Sequence, residues 1–599
     1  MSHYKANLRD QEFNLFEANP ITDYLESFGD MDEGTARMIL REVERLAVGP
    51  WGDSFVAADR HELKLVNGEV VLPDELKRSI DAYREAGWGR ISMPPELGGA
   101  GAPPSLTTAT IELLCGSQPT AYFYAIGELM ARVLFEEGTE EQQKIAHYML
   151  DRNWGGTMVL TEPDAGSDVG AGTTKAVQLD GDMYAIEGVK RFITSGEFDH
   201  AENIIHLVLA RPEGAGAGTK GLSLFMVPKF FINDDGSLGD RNGVYATNIE
   251  KKMGIKGSTT CELSFGADTP AYGWLVGSKH DGIRQMFRVI EHARMLIGTK
   301  STATLSTGYL NALEYAKQRV QGPDLTEATD KTAPRVEIIR HPNVRRMLMI
   351  QKAYAEGLRA LVMYTAWVQD QIMLHPDDQY LDALNDLLLP MVKGYSSEKA
   401  YELLALSLQV FGGSGFTMDY PIEQYIRDSK IDTLYEGTTG IQAMDLFFRK
   451  IARDQGATLT RMSAQIVEFV KAGGDEDALS TERELLGRAL DDVQGQLGVL
   501  VGHLMASMQE PTEIYKAGLH LDGLLKSLSE MVIGWLLLRH AEIAAAKLPG
   551  ATGDDVAFYE GKVASARFFV RHVLPGIAVR RAEAGAEDGA LMTLLDEAF

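Results

Sequence analysis

The chain has 599 residues, of which 45% are hydrophobic, and a formal net charge of −27 at pH 7. A chain of this length exceeds what one hydrophobic core supports, so three or four domains or subdomains are expected. The acidic balance argues against a nucleic-acid partner or an anionic membrane surface, because binding to phosphate groups is driven by clustered Lys and Arg.

Cysteine use and the start of the chain bear on its compartment. The two cysteines, Cys115 and Cys261, are too few to cross-link a chain of this size, which favours a reducing compartment. The first residues are polar rather than an apolar leader, and the longest apolar stretch, near Met531–Leu538, is too short to cross a bilayer. We therefore expect a cytoplasmic protein without a membrane span.

Hydrophobic periodicity predicts the first domains. After an N-terminal extension over residues 1–33, apolar residues recur every three or four positions in residues 34–154, which predicts an N-terminal helical domain. In residues 155–271 the period changes, and alternating or apolar runs separated by turn signals predict a middle β domain. The strand segments are Gln178–Thr194, Asn203–Arg211 and Gly221–Pro228.

Helical periodicity returns in the remainder of the chain. Residues 272–454 contain three long helical runs, typical of an antiparallel bundle. These runs are Met286–Arg319, Val344–Leu374 and Leu381–Leu408. In residues 455–599 a one-sided apolar stripe predicts an accessory helical domain. The stripe consists of Leu486, Leu490, Val493, Leu497, Leu500 and Leu504. The predicted fold class is α+β.

A loop of small residues follows the first strand of the β domain. The segment Val159–Gly170 carries hydroxyl groups at Thr161 and Ser167 and is rich in free amide groups. Such donors suit the edge of an isoalloxazine ring and a diphosphate, both of which are rich in acceptors. The glycine spacing is not that of a P-loop or a dinucleotide fingerprint. A plain surface turn is the alternative.

The segment Lys190–Gly196 ends a predicted strand with Phe192 and Thr194. Two residues apart on a strand, these side chains share one face. The aromatic ring could cover a flat ligand while the threonine donates to it. An ordinary strand end is the alternative.

A glycine cluster follows the last long helix of the bundle. Gln409–Phe416 contains three glycines within four residues, whereas a helix C-cap requires only one. Glycines allow a ligand to approach the backbone closely.

Glu436 is the candidate base. It stands between the apolar pair Leu434-Tyr435 and Gly437, so the chain can bend and present the carboxylate from a turn. Burial among apolar neighbours raises the pKa of a carboxyl group, which suits removal of a weakly acidic proton next to a carbonyl. An exposed glutamate at a helix end is the alternative.

These motifs, in this order and with the α-β-α organisation, resemble the acyl-CoA dehydrogenase family over residues 36–453. Leu160–Asp168 is similar to the first family signature, Gln409–Asp428 to the second and Tyr435–Thr438 to the segment of the catalytic base. The opening segment Tyr4–Glu17 and the added C-terminal region further resemble the large actinobacterial fatty acyl-CoA dehydrogenases and the methylthiopropanoyl-CoA dehydrogenases. The resemblance implies that the bundle has four helices.

The resemblance also implies FAD as the cofactor and assigns roles to individual residues. The implied FAD-binding residues are Leu160, Thr161, Gly166, Ser167, Phe192, Thr194, Arg319, Gln409, Gly412, Gly413 and Thr438. The implied substrate-binding residues are Ser167, Tyr435, Glu436 and Gly437. Glu436 would remove the α proton of a fatty acyl-CoA while the β hydrogen leaves as hydride to flavin N5, giving a trans-2-enoyl-CoA in β-oxidation. Arg294 would tune the charge of the pocket, with a salt bridge on the helix surface as the alternative. No metal site is predicted.

Partners follow from the same resemblance. Electron-transferring flavoprotein would reoxidise the cofactor. A cofactor site shared between subunits implies an obligate homo-oligomer, and a dimer is favoured because residues 455–599 would cover the surface that tetrameric members use. The alternatives are a 3-methylthiopropanoyl-CoA dehydrogenase, an acyl-CoA oxidase, and a non-catalytic relative that acts as a binding or assembly protein.

Overall fold

The computed structural model describes residues 2–473 and 478–599. Its first part is helical, as predicted. The helices are α1 (Leu8–Phe13), α2 (Glu33–Val48), α3 (Phe55–Arg60), α4 (Asp74–Ala86), α5 (Pro104–Ser117), α6 (Pro119–Ala125), α7 (Gly127–Glu137) and α8 (Glu140–Asp151), with a short hairpin of β1 (Leu65–Val66) and β2 (Glu69–Val70). Helix α2 shows why the periodicity was informative. Asp32 caps its first turn by accepting a 2.7 Å hydrogen bond from the amide of Thr35, and its apolar stripe is buried.

The middle of the chain is a β domain, which confirms the predicted change of period. Its strands are β3 (Gly155–Val159), β4 (Lys175–Gln178), β5 (Met183–Thr194), β6 (Ile204–Pro212), β7 (Ser223–Pro228), β8 (Phe230–Ile232), β9 (Leu238–Arg241), β10 (Val244–Ile249), β11 (Thr260–Phe265) and β12 (Ala271–Leu275). Seven strands follow the order β10-β11-β5-β12-β7-β6-β3, β4 pairs with β5 and β6, and β8-β9 is a separate hairpin. The pairs β3-β6 and β4-β6 are parallel, whereas the other pairs of this sheet are antiparallel.

Strand β5 is irregular near its end. Thr194 pairs with Thr260 and Ile193 with Cys261, but the register then shifts, so that Lys190 pairs with Leu263. Phe192 lies inside this irregularity with a φ of +61°. A non-glycine residue in the left-handed region costs about 1–2 kcal/mol, so the surrounding pairing must hold Phe192 in place.

Helices dominate again from residue 282. They are α9 (Gly282–Gln318), α10 (Pro342–Leu374), α11 (Gln379–Pro390), α12 (Ser396–Phe411), α13 (Ile422–Ser429) and α14 (Thr439–Met444), with a hairpin of β13 (Val320–Pro323) and β14 (Arg335–Glu337) between α9 and α10. The predicted run Leu381–Leu408 is not one continuous α-helix. Helix α11 ends at Pro390, and a π-helix over Met391–Tyr395 precedes α12. Proline lacks the amide that continues the α-helical hydrogen-bond pattern, and the wider π turn accommodates the break.

Where the extra C-terminal region is described, its regular secondary structure is all helical. Its helices are α15 (Ala457–Lys471), α16 (Ser480–Ala506), α17 (Glu513–Gly518), α18 (Leu521–Lys547), α19 (Asp554–His572) and α20 (Gly576–Gly585). The predicted stripe on α16 joins the hydrophobic core, with Leu486, Leu490, Val493 and Leu500 buried and Leu497 and Leu504 partly buried. Helix α18 is buried over most of its length.

The chain forms two compact units. The first comprises Phe28–Pro103 and Leu113–Ala293 together with the first residues of the chain, and the second comprises Asn7–Ser27, Pro104–Glu112 and Arg294–Phe599. Among the residues that the structure describes, none of the helices has the length and apolar character that a membrane crossing requires.

Buried ion pairs join distant parts of the second unit. Asp10 accepts from Arg359 of α10 at 2.5 Å and from Lys562 of α19 at 2.8 Å. Arg359 also donates to Glu112 at 2.6 Å. All four side chains are buried, so each charge depends on its partners rather than on water.

Candidate active site

The signature loop of the first unit is anchored by Glu162. Its carboxylate accepts hydrogen bonds from the amides of Thr173 and Thr174 at 2.6 and 3.0 Å and from Lys190 Nζ at 2.9 Å. Lys190 also donates to the carbonyl of Leu160 at 2.8 Å. Despite its burial, Glu162 has a pKa lowered to about 2, because Lys190 and these donors favour the carboxylate. The loop that carries Thr161 and Ser167 is therefore tied at both ends.

The strand end after this loop presents an exposed aromatic ring. Phe192 is 54% exposed, and Ile193 next to it is buried while Thr194 is half-buried. Ser195 also has a positive φ, of +55°, and is fixed by a 2.8 Å hydrogen bond from its hydroxyl to the carbonyl of Phe123. Phe192 and Ser195, both with a left-handed backbone, thus lie on either side of Thr194 along the chain. Backbone strain of this kind is concentrated at functional sites.

The remaining predicted residues of the first unit differ in their exposure. Leu160 and Thr161 are half-buried, whereas Gly166 and Ser167 are exposed. A Cβ atom built on Gly166 meets no atom within 4 Å. The packing of this unit therefore does not require a glycine at position 166. The close approach of a ligand to the backbone would explain why a glycine is present.

The glycine cluster of the second unit lies at the end of α12. Gly412 ends the helix with a φ of +61°, and a Cβ atom built on either Gly412 or Gly413 meets nothing within 4 Å. Tyr315 stacks on Phe411 with the ring centroids 4.4 Å apart, which brings the end of α9 beside the cluster. Gln409 and Arg319, which follows α9, are exposed. The cluster therefore offers open space beside the backbone at Gly412 and Gly413.

Glu436 lies in a sharp turn, as expected, between a 3-10 helix over Lys430–Thr433 and α14. Its φ is +56° and that of Gly437 is +85°, so two successive residues are left-handed. Gln442 donates to the carbonyl of Glu436 at 2.9 Å, and Lys393 donates to the carbonyl of Gly437 at 2.5 Å. Thr438 caps α14 by accepting from the amide of Ile441 at 3.4 Å.

Tyr435 is held by a hydrogen bond to the 3-10 helix that precedes the turn. Its hydroxyl donates to Asp432 at 2.7 Å, and Lys300 donates to both carboxylate oxygens of Asp432, each at 2.7 Å. Lys300 and Asp432 are buried. The ion pair between Lys300 of α9 and Asp432 therefore holds the segment that precedes the turn.

The electrostatics of the turn suit a base. Burial raises the pKa of Glu436 above its usual value, while the positive charges of Lys393 and Arg294 lower it. Burial lowers the pKa of Lys393 to about 8, against the raising effect of Asp432 and Glu436. Arg294 pairs with Asp445 at 2.7 Å, and both side chains are buried. Its ion pair is therefore internal, and the alternative of a salt bridge on the helix surface was wrong.

The predicted residues divide between the two units. Those of the first unit are Leu160, Thr161, Gly166, Ser167, Phe192 and Thr194, and those of the second are Arg294, Arg319, Gln409, Gly412, Gly413, Tyr435, Glu436, Gly437 and Thr438. Four further residues around the turn are not among the predicted site residues: Lys393, Lys300, Asp432 and Gln442. A signal existed for Lys393, because it is the one charge in the otherwise uncharged run Leu387–Ser397. A buried lysine in such a run needs a partner.

These residues fit the FAD that the resemblance implies. Hydroxyl groups, an exposed aromatic ring and glycines with open space are the features that a flat ring and a diphosphate require. Within the described residues, no group of three or more His, Cys, Asp or Glu side chains is arranged to hold a metal ion.

Comparisons with known families match most of the chain. Residues 157–267 match the family described as acyl-CoA dehydrogenase, middle domain, and residues 280–449 match acyl-CoA dehydrogenase, C-terminal domain. Residues 462–595 match the family described as acetyl-CoA dehydrogenase C-terminal like.

Individual proteins are similar over nearly the whole length. The broad-specificity linear acyl-CoA dehydrogenase FadE5 of Mycobacterium tuberculosis is 55% identical, over 100% of both chains. The 3-methylmercaptopropionyl-CoA dehydrogenase of Ruegeria pomeroyi is 33% identical, over 95% of this chain and 96% of that protein. The solved structure of an acyl-CoA dehydrogenase complexed with FAD from Bacillus anthracis has a TM-score of 0.72 at 22% identity and covers 94% of this chain and 90% of that chain.

Proposed function

The chain belongs to the acyl-CoA dehydrogenase family, and from this we propose that Glu436 is the base of an α,β-dehydrogenation of linear acyl-CoA thioesters. The protein is an FAD-dependent acyl-CoA dehydrogenase, a flavoprotein oxidoreductase of fatty acid β-oxidation. The observation that carries the assignment of the base is the left-handed turn that presents Glu436.

Three properties of Glu436 support its role. In the described part of the chain, no hydrogen bond or ion pair engages its carboxylate, so the oxygens are available to accept a proton. Its turn is held by Gln442, which donates to the carbonyl of Glu436, and by Lys393, which donates to the carbonyl of Gly437, rather than by contacts of the carboxylate itself. Its raised pKa increases its affinity for a proton in the transition state.

The proton and hydride take separate routes in the proposed reaction. Glu436 removes the proton from the α carbon, and the electron pair of that C–H bond forms the new double bond as hydride leaves the β carbon. The product is a trans-2-enoyl-CoA. FAD supplies the redox chemistry when bound, as the acceptor of the hydride. Arg294 and Lys393 favour the ionised base before the reaction, and the partly apolar surroundings favour the neutral acid after it.

The proposed FAD-binding residues of each unit have their own roles. Thr161, Ser167 and Thr194 would supply hydroxyl donors, and the exposed ring of Phe192 would cover a face of the flavin. In the second unit, Gly412 and Gly413 would let the diphosphate approach the backbone. Leu160, Gly166, Arg319, Gln409 and Thr438 complete the proposed set. Ser167, Tyr435 and Gly437 would contact the substrate.

Linear acyl-CoA of varied length is the proposed substrate class. Identity of 55% over the whole chain to an enzyme named for broad specificity toward linear acyl-CoA supports this choice. A 3-methylthiopropanoyl-CoA substrate is the second candidate, supported by the 33% identity to the Ruegeria enzyme. An anaerobic titration of the FAD-bound protein with each thioester ranks them by the rate at which the flavin absorbance bleaches.

Electron-transferring flavoprotein is the proposed electron acceptor, and a homodimer is the proposed assembly. Oxygen uptake at the rate of substrate turnover would instead identify an oxidase. Light scattering that gives a tetramer for the full chain would contradict the dimer.

The assignment of the base is tested by Glu436→Gln. The variant should retain FAD, and its flavin should be reduced by acyl-CoA ~100 to 10,000-fold more slowly, the range that a positioned general base contributes. Glu402→Gln is the matched control, since Glu402 pairs with Lys399 at the surface of α12. Reduction of Glu436→Gln at a near-normal rate would overturn the proposal.

A further inference from the structure

We propose that Lys393 is a positioning residue, which fixes the turn that carries Glu436 and places a positive charge beside its carboxylate. The inference rests on the proposed function of Glu436 as the base. Lys393 lies in the π-helix Met391–Tyr395, in a segment that none of the sequence motifs includes.

The contact to the turn is direct. Lys393 is fully buried, and its Nζ donates to the carbonyl of Gly437 at 2.5 Å. Glu436 and Gly437 are both left-handed, a conformation that is strained for Glu436 because its Cβ atom crowds the following carbonyl. Gln442 donates to the same two carbonyls, at 2.9 Å to Glu436 and 3.4 Å to Gly437. Donors from two elements therefore converge on the strained turn and offset its cost.

Most of the charges around the turn are paired with residues other than Lys393 and Glu436. The π-helix, α9, the 3-10 helix over Lys430–Thr433 and the segment after α14 contribute the charged groups around the turn. Lys300 holds Asp432 through two hydrogen bonds, and Arg294 holds Asp445.

Glu398 is the remaining nearby carboxylate, and it accepts a 2.6 Å hydrogen bond from the hydroxyl of Thr439. Lys393, Glu398 and Glu436 are thus left without an ion-pair partner among the described residues, and of the two carboxylates only that of Glu436 accepts no hydrogen bond. Burial makes an uncompensated ammonium costly, so Lys393 is stabilised most when Glu436 is ionised.

The π-helix accounts for the position of Lys393. Pro390 ends α11, and the wider turn that follows shifts the next residues around the helix axis. The far end of this turn is held by Tyr395, whose hydroxyl donates to Glu530 at 2.8 Å. Single π turns inside helices are frequent at functional sites.

The test separates the hydrogen bond from the charge. Lys393→Gln keeps a donor for Gly437 without the charge, Lys393→Arg keeps the charge, and Lys393→Met removes both. Lys399→Met is the matched control, because Lys399 lies one turn and a half further along and pairs with Glu402. The variants are prepared with FAD bound.

The readout isolates proton transfer from oxidation. The probe is an acyl-CoA analogue with sulfur in place of the β carbon, which has an α proton but no β hydrogen to lose as hydride. In D₂O the base breaks the α C–H bond, and a deuteron returns to the α carbon, so mass spectrometry measures the exchange rate. The rate is followed against pH.

The expected results have a definite sign. An adjacent positive charge lowers the pKa of a carboxyl group by about 1 to 3 units, so Lys393→Gln and Lys393→Met should move the rise of the exchange rate to higher pH by about that amount. Lys393→Met should also lower the plateau, because the turn loses its donor. Lys393→Arg and Lys399→Met should keep the wild-type midpoint.

The proposal fails if Lys393→Met or Lys393→Gln, folded and with FAD bound, shows the wild-type midpoint and plateau. It also fails if both uncharged variants unfold, since Lys393 would then be structural. Glu436→Gln in the same assay tests the premise. Continued exchange in that variant would remove the base assignment, whereas its loss together with unchanged Lys393 variants would remove only the inference.

Discussion

The hydroxyl of Tyr395 donates a hydrogen bond of 2.8 Å to Oε1 of Glu530, and both side chains are buried. Tyr395 ends the π-helix that carries Lys393, whereas Glu530 lies in α18 of the extra C-terminal region. Arg580 of α20 pairs with the other carboxylate oxygen of Glu530. The C-terminal region is thus bonded directly to the segment that contacts the turn of the proposed base.

Glu530→Ala should destabilise the protein by about 1–3 kcal/mol, because it removes the charged acceptor of the buried Tyr395 hydroxyl and the ion-pair partner of Arg580. Denaturant unfolding followed by circular dichroism measures this loss. Glu484→Ala, which removes a pair at the exposed surface of α16, should change stability by less than about 0.5 kcal/mol. Equal effects of the two substitutions would show that the contact to the π-helix contributes nothing.

Arg359→Met should destabilise the second unit by about 3–5 kcal/mol, since it leaves Glu112 buried without its counter-charge and Asp10 with Lys562 as its remaining cation. Arg37→Met is a suitable control, because Arg37 pairs with Glu33 on the surface of α2. Thermal unfolding measured by calorimetry distinguishes the two. A small loss of stability in Arg359→Met would mean that water reaches these carboxylates when the arginine is absent.

The stability that Glu162 provides should depend on pH in a defined window. Its pKa is lowered to about 2 in the folded protein, whereas it is about 4.3 in an unfolded chain. A carboxyl group with a lowered pKa stabilises the fold fully above its unfolded pKa, and this contribution is lost as the pH falls toward the folded value. Wild type should therefore exceed Glu162→Gln in stability at pH 6, and the two should converge between about pH 4 and pH 2. A difference in stability between the two proteins that stays constant across this range would contradict the assignment of a negative charge to Glu162 in the folded protein.

Gly413→Leu should weaken FAD retention while leaving the stability of the FAD-free chain nearly unchanged. The side chain would enter the open space beside the backbone, where no atom of this chain lies within 4 Å of the added Cβ. Gly550→Leu, at another position with open space, serves as the control. The flavin absorbance that remains after gel filtration measures retention. Full retention in Gly413→Leu would place the diphosphate elsewhere.

Local patterns in the sequence were sufficient for much of the fold. The stripe of α2 is buried and that of α16 is buried or partly buried, as their periods indicated, because a one-sided apolar face must be covered. The turn at Glu436 was also foreseen, since Gly437 permits a left-handed backbone. Its supporting residue Lys393 was not, because it approaches from a segment 44 residues away along the chain. The irregularity at Phe192 depends on pairing with β11, which a single strand does not reveal.

The ion pair between Asp10 and Lys562 has a consequence for synthesis on the ribosome. The two residues are 552 positions apart, and at about 5–20 residues per second Lys562 emerges roughly half a minute to two minutes after Asp10. During the later part of that interval Arg359 has already been synthesised, but Lys562, the second cation that pairs with Asp10, has not. The core of the second unit therefore closes only near the end of translation. A message truncated before α19 would yield a nascent chain that chaperones and proteases treat as unfinished.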